Sequence, residues 1–180
     1  MSVKKEPAPI VFDTDVLVSL VCDQTAQDAV MVALRGRRIV TTAVADETIH
    51  AGHGTSLQRS GLLPHARRLV VNEMERIEVT DLGDEAVQRM ARLQAVLAKP
   101  GDSNRKHLGE AASIAAAVEL GAIFATHDRD ATTLARGEGV PAITVTHLLS
   151  KAVQTSHLTA EQRAKAEDEM RRRGRRPPRF

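Results

Sequence analysis

Aromatic residues are almost missing from this chain: its 180 residues include three Phe, no Trp and no Tyr. A surface that grips nucleobases by stacking is therefore excluded as a main device. The core has to be built from Ala, Val, Leu and Ile instead. Cysteine is represented by Cys22 alone. One thiol can neither close a disulfide within the chain nor supply a zinc cluster of several Cys, and it suits a reducing, cytoplasmic setting. No apolar stretch approaches the ~20 residues of a membrane span. The opening "MSVKKEPAP" lacks the apolar segment of a signal peptide and reads as a short flexible lead over 1–8.

Charge is unevenly distributed behind a net value of +2. Residues 151–180 hold nine Lys/Arg against four Asp/Glu, which leaves sixteen against nineteen in the first 150. The body is slightly acidic and the C-terminal extension basic. The run "MRRRGRRPPRF" reads as a solvated end, or as a contact for a polyanion.

What is present is an alternation of short apolar strands with helices. Strands are expected at Ile10–Phe12, within "RRIVTTA" (37–43), "RIEVT" (76–80), "AIFAT" and "AITV". Helical material is expected from about Asp15 to Leu34, in "AVADETIHA" (43–51), "LLPHARRLVV", 83–98, "HLGEAASIAAAVEL" (107–120), "RDATTLARGE" and "THLLSKAVQ". This order predicts a three-layer α/β/α domain with a central parallel sheet over 9–150. A charged helix from Thr159 is expected to project from that body.

The segment "IVFDTDVLVSL" sets Asp13 and Asp15 beside a strand fit for the middle of a sheet. In such sheets ligands collect beyond the carboxyl ends of the strands. Asp13 falls at one such end and Asp128, in "FATHDRDA", at another. Glu110 shares a helical face with Ile114, Ala117 and Val118, and Glu47 lies in the helix of "AVADETIH". Singly, each acid has an ordinary explanation as a cap or an exposed side chain. Four of them gathered without Lys or Arg in the same motifs would repel one another, and a divalent cation would remove the repulsion. Oxygen-only ligands suit Mg²⁺ or Mn²⁺, and the matching chemistry is phosphodiester hydrolysis by a metal-activated water.

The stretches "IVFDTDVLVSL", "ADE" and "GEAASIAAAVELGAIFATHDRDATTLA" together resemble the PIN domain, the fold of many metal-dependent ribonucleases, over roughly residues 9–150. The resemblance implies that Asp13, Glu47, Glu110 and Asp128 are the catalytic, metal-holding acids, with Asp130 as an added one. It aligns Glu47 rather than Asp46 with the second acid. Thr126 and Thr14 match small polar positions near the metal. His107 stands where some members carry Asp. The implied activity is a Mg²⁺- or Mn²⁺-dependent endoribonuclease, most often the VapC-like toxin of a type II toxin–antitoxin pair, working as a homodimer blocked by a small antitoxin. A PIN-fold scaffold that binds RNA or protein without cutting is the alternative. A haloacid-dehalogenase-like phosphatase is a weaker one, because the Gly-Thr after its Asp-x-Asp opening is missing.

Other residues carry lesser expectations. Asp15 reads as the N-cap of the first helix. His50 reads as a surface or substrate-contacting residue, and the Glu47, His50, His53 spacing leaves a zinc site open. Arg37 and Arg38 are candidates for backbone phosphate contact, and Cys22 for a packed small hydrophobe.

Overall fold

A computed structural model describes residues 7–50, 61–102 and 106–175. Five strands, β1 (Ile10–Phe12), β2 (Arg38–Thr41), β3 (Glu75–Ile77), β4 (Ile123–Ala125) and β5 (Ala142–Ile143), form one sheet in the order β3-β2-β1-β4-β5. All four pairings are parallel, with Val11 opposite both Ile39 and Phe124. A parallel strand needs a crossover, and helices supply it on both faces.

The helices of the described residues are α1 (Thr14–Leu20), α2 (Gln24–Ala33), α3 (Thr42–Ile49), α4 (Leu63–Glu73), α5 (Asp84–Leu97), α6 (Leu108–Leu120), α7 (Arg129–Gly137), α8 (Val145–Gln154) and α9 (Ala160–Arg172). Strand periodicity sorts the core into two halves. Ile10, Phe12, Val40 and Ala125 pack with α1, α2, α4, α8 and α9 on one face. Val11, Ile39 and Phe124 pack with α5, α6 and α7 on the other. This is the expected three-layer α/β/α arrangement.

Helix α6 is enclosed almost all round. Gly109 and Ala111–Ala117 are buried, because α5, α3, α7 and the sheet all pack against it. The stripe expected along Glu110, Ile114 and Val118 is thus part of a wider apolar surface. Its run of alanines lets neighbouring backbones approach closely.

Two expectations need correction. The first helical stretch is split into α1 and α2, bent by 118°. Asp23 causes the break by capping α2: its carboxylate accepts the Ala26 N–H at 2.9 Å. The C-terminal helix α9 does not project. Ala166 and Met170, one turn apart, are fully buried in the main core with Leu158, and α9 packs on α2 and α8. Its charges cover the outer face only.

No single described helix is long and apolar enough to cross a membrane.

Replacing Met170 by Ala empties a fully buried site and should cost about 2–5 kcal/mol of folding stability, read from chemical denaturation. A loss near zero would return α9 to the status of a loosely attached arm.

Candidate active site

The sheet order reverses at β1: β2 and β3 lie to one side, β4 and β5 to the other. The crevice between the carboxyl ends of β1 and β4 is therefore the switch point at which such sheets bind ligands. Asp13 follows β1 directly, and its N–H bonds the Ala125 carbonyl at 2.9 Å. Thr126 follows β4 directly. The two lips of the crevice are thus Asp13 and the Thr126–Asp128 turn.

Asp13 is only 5% exposed. Its Oδ1 accepts the Thr14 N–H at 2.8 Å and its Oδ2 accepts the Thr126 hydroxyl at 2.9 Å. Asp13, not Asp15, is the N-cap of α1. The helix starts with no intervening loop, so the strand-end carboxylate is already in capping position and Asp15 falls in the first turn. Burial, and then the charge of Glu110, push the Asp13 pKa well above its ordinary 3.8. The bonds from Thr126 and Thr14 pull the other way without prevailing.

Glu47 reaches the same place from α3. The Thr14 hydroxyl donates to its Oε2 at 2.8 Å. Residue Glu47 keeps solvent exposure, but its carboxylate end lies against the start of α6. Desolvation there raises its pKa, the charges of Glu110 and Asp15 add, and bonds from Thr14 and the Gly109 N–H oppose. Gly109 is the floor of this seat. A Cβ at that position would stand 2.9 Å from Glu47 Oε1 and 3.1 Å from Oε2. Sequence reading missed Gly109; the "GEA" motif held the signal, a glycine inside a helix directly before an acid.

Glu110 lies on the first turn of α6 and its charge is felt by both Asp13 and Glu47. His107 Nδ1 stands 3.7 Å from Glu110 Oε1, and its Nε2 is 3.2 Å from Asp102 Oδ2. His107 takes up a left-handed backbone conformation, φ 62°, to start the helix, an uncommon state for a residue with a side chain. Asp102 is held down to about 2, first by its bond from Lys106. Asp128 caps α7 through the Ala131 N–H at 2.7 Å, and its own N–H donates to Thr126 Oγ1 at 3.1 Å. A chain of bonds therefore runs from Glu47 through Thr14 to Asp13, and on through Thr126 to Asp128.

Other candidates lie outside this chain. Asp130 is exposed and pairs with Lys99 at 3.3 Å. His50 is an exposed C-cap of α3, and His53 lies outside the described residues, as does any zinc geometry that needs it. Arg37 pairs with Glu75, and Arg38 with Glu73 and the Met31 carbonyl, at the amino edge of the sheet. That edge is opposite to the crevice. His127 accepts the Val145 N–H on Nε2 at 3.3 Å and meets Ser19 Oγ at 3.4 Å. Burial lowers its pKa to about 4, which makes it a neutral latch between α1 and α8. Cys22 is buried, and its thiol is raised to about 11 by that burial.

Among the described residues no Lys or Arg forms an ion pair with Asp13, Glu47, Glu110 or Asp128. Also among them, no group of three or more His, Cys, Asp or Glu is preassembled in metal-holding geometry. The donor set nevertheless fits a hard dication: oxygen donors only, with Asp13 and Glu47 raised in proton affinity and held by the Thr126 and Thr14 hydroxyls.

The family model of the PIN domain matches residues 10–137. Among solved structures, VapBC2 from Rickettsia felis bound to a DNA fragment from its promoter is similar. The TM-score is 0.50 at 11% identity, over 76% of this chain and 98% of that chain. At this identity the likeness shows the fold alone. Comparison with curated proteins finds no match.

The raised Asp13 pKa has a consequence for stability without metal. Between 3.8 and the folded value, the folded protein binds more protons than the unfolded chain, so stability falls as pH rises. Asp13→Asn removes that contribution. In EDTA, its Tm should exceed that of the wild type by a margin that grows from pH 4 to pH 7. A margin that shrinks with pH would mean that Asp13 is stabilised, not strained, as an anion.

Proposed function

The chain belongs to the PIN domain family, and from that premise we propose that it is a Mg²⁺- or Mn²⁺-dependent endoribonuclease. PIN domains are generally nucleases. The observation that carries the reading is the buried Asp13, crowded by Glu110 at the switch point and paired with no Lys or Arg among the described residues. A protein keeps such an arrangement, at a cost in stability, where a cation or a reaction needs it.

Asp13, Glu47, Glu110 and Asp128 are the residues that would hold the metal, with Asp130 in support from the rim. A bound dication would supply nucleophile activation and charge compensation at phosphorus. The protein's own contribution is orientation. Thr126 and the Thr14 N–H fix Asp13, while the Thr14 hydroxyl and Gly109 fix Glu47. His107, held by Asp102, stands beside Glu110 on its outer side. Hydroxyl and amide donors leave each carboxylate oxygen a second lone pair, so fixing the side chains does not use up their capacity as ligands.

Within this proposal the chain is the toxin of a toxin–antitoxin pair, with a small antitoxin as partner and a homodimer as the working form; the fold-level likeness to VapBC2 supports the antitoxin part alone. A binding-only scaffold is the second reading, and the lack of a preassembled metal cluster among the described residues favours it. The two differ in turnover.

With Mn²⁺ and a structured RNA, the wild type should yield fragments with 5′-phosphate ends, and Asp13→Asn should cut on the order of 100-fold more slowly. Equal rates would refute the assignment, and binding without cutting would establish the scaffold. Gly109→Ala offers a finer test. The atom it displaces is the far end of a flexible side chain, so melting should change little, while the misplaced Glu47 carboxylate should reduce cleavage by roughly 10–100-fold.

A further inference from the structure

Three of the inner acids have an acidic neighbour one or two residues along the chain, and every such neighbour is engaged by a long cation. Asp15, two residues from Asp13, pairs with Arg175 at 3.1 Å. Asp46, beside Glu47, pairs with Arg76 at 2.9 Å. Asp130, two residues from Asp128, pairs with Lys99 at 3.3 Å. The cations come from unrelated places: the residues after α9, strand β3 and the loop after α5. Their common feature is the carboxyl edge at which they arrive.

Resting on the nuclease reading, we infer that Arg76, Lys99 and Arg175 form a rim that grips the phosphates of a single-stranded RNA, with Asp46, Asp130 and Asp15 holding these cations in place until the strand arrives. Three physical points support it. A polyanion approaching four carboxylates meets a repulsive field that only nearby positive charge can offset. Among the described residues no Phe offers a stacking face, since Phe12 and Phe124 are fully buried. The grip must then be electrostatic.

The Lys99–Asp130 and Arg76–Asp46 pairs are also poor staples. Lys99 and Asp130 are each 65% exposed, and exposed pairs stabilise a fold by about 0–1 kcal/mol. A cation can leave such a carboxylate for a phosphate at little cost. Arg175 is the more enclosed, 18% exposed against 56% for Asp15, and it belongs to the C-terminal part that lies beyond the family match. It brings a guanidinium to an acid whose charge is felt by both Asp13 and Glu47.

The test is RNA binding in an Asp13→Asn background with EDTA, so that nothing is cut, using a fluorescent single-stranded oligoribonucleotide and anisotropy across a KCl series. Arg76→Gln, Lys99→Gln and Arg175→Gln should each weaken binding severalfold and flatten the log–log salt dependence by roughly 0.7 for each cation removed. Asp15→Asn, Asp46→Asn and Asp130→Asn should tighten binding at fixed salt by releasing the cations. Tighter binding cannot come from damaged folding, so the acid variants keep the inference exposed if a cation variant unfolds. Unchanged affinity and slope in the cation variants, weaker binding in the acid variants, or no binding of the strand at low salt would each overturn it. Cleavage of the same strand by wild type with Mn²⁺ is scored separately. A strand that shows this charge pattern but is never cut would overturn the nuclease reading and leave the rim standing.

Discussion

Like charges crowded at the carboxyl edge of a buried parallel sheet are the constraint to which the rest of this molecule answers. Strand β1 has neighbours on both sides and helices on both faces, so Asp13 at its end is almost entirely removed from water. Glu110 adds its field to that desolvation. The energetic burden is carried by the two apolar half-cores on either side of the sheet. They are rigid enough to fix a carboxylate in a place that it would not choose by itself.

How the acids are positioned follows from small residues more than from the acids. Thr14 serves two carboxylates, with its N–H on Asp13 and its hydroxyl on Glu47. Thr126 joins the two lips of the crevice. Gly109 is what lets Glu47 lie flat against α6. Each hydroxyl or amide bond to a carboxylate here is stronger than a neutral one in a partly desolvated place. Around this inner set lies an outer set of acids that are exposed and paired with cations. The two sets differ in partners, and Asp13 alone of the inner acids is buried, though the sets lie one or two residues apart in the chain.

Much of this was legible in the sequence because the elements are short, strongly patterned and well capped. Ile10–Phe12, the "GEA" helix and the strand before Thr126 stood out by apolar runs and by Gly121 at the helix end. The break between α1 and α2 is hidden in the sequence, because Asp23 sits in a run whose apolar periodicity continues through it. The docking of α9 is hidden for the opposite reason. Ala166 and Met170 are a thin apolar signal among charges, and burial depends on what α2 and α8 present to them. Sequence alone points to Asp13 as the site acid and Asp15 as the cap. The structure gives the cap to Asp13 as well, since a helix that starts directly after a strand takes the nearest carboxylate.

The sequence by itself determined the alternation of strand and helix, the parallel sheet that this implies and the candidate acids at strand ends, because these depend on local periodicity and residue chemistry. Tertiary structure alone decided which acids are buried and which are exposed and paired, that Gly109 seats Glu47, and that Arg175 closes on Asp15 across 160 positions. Burial and pairing depend on what the rest of the chain brings alongside, and for charges in low dielectric those neighbours set the energy.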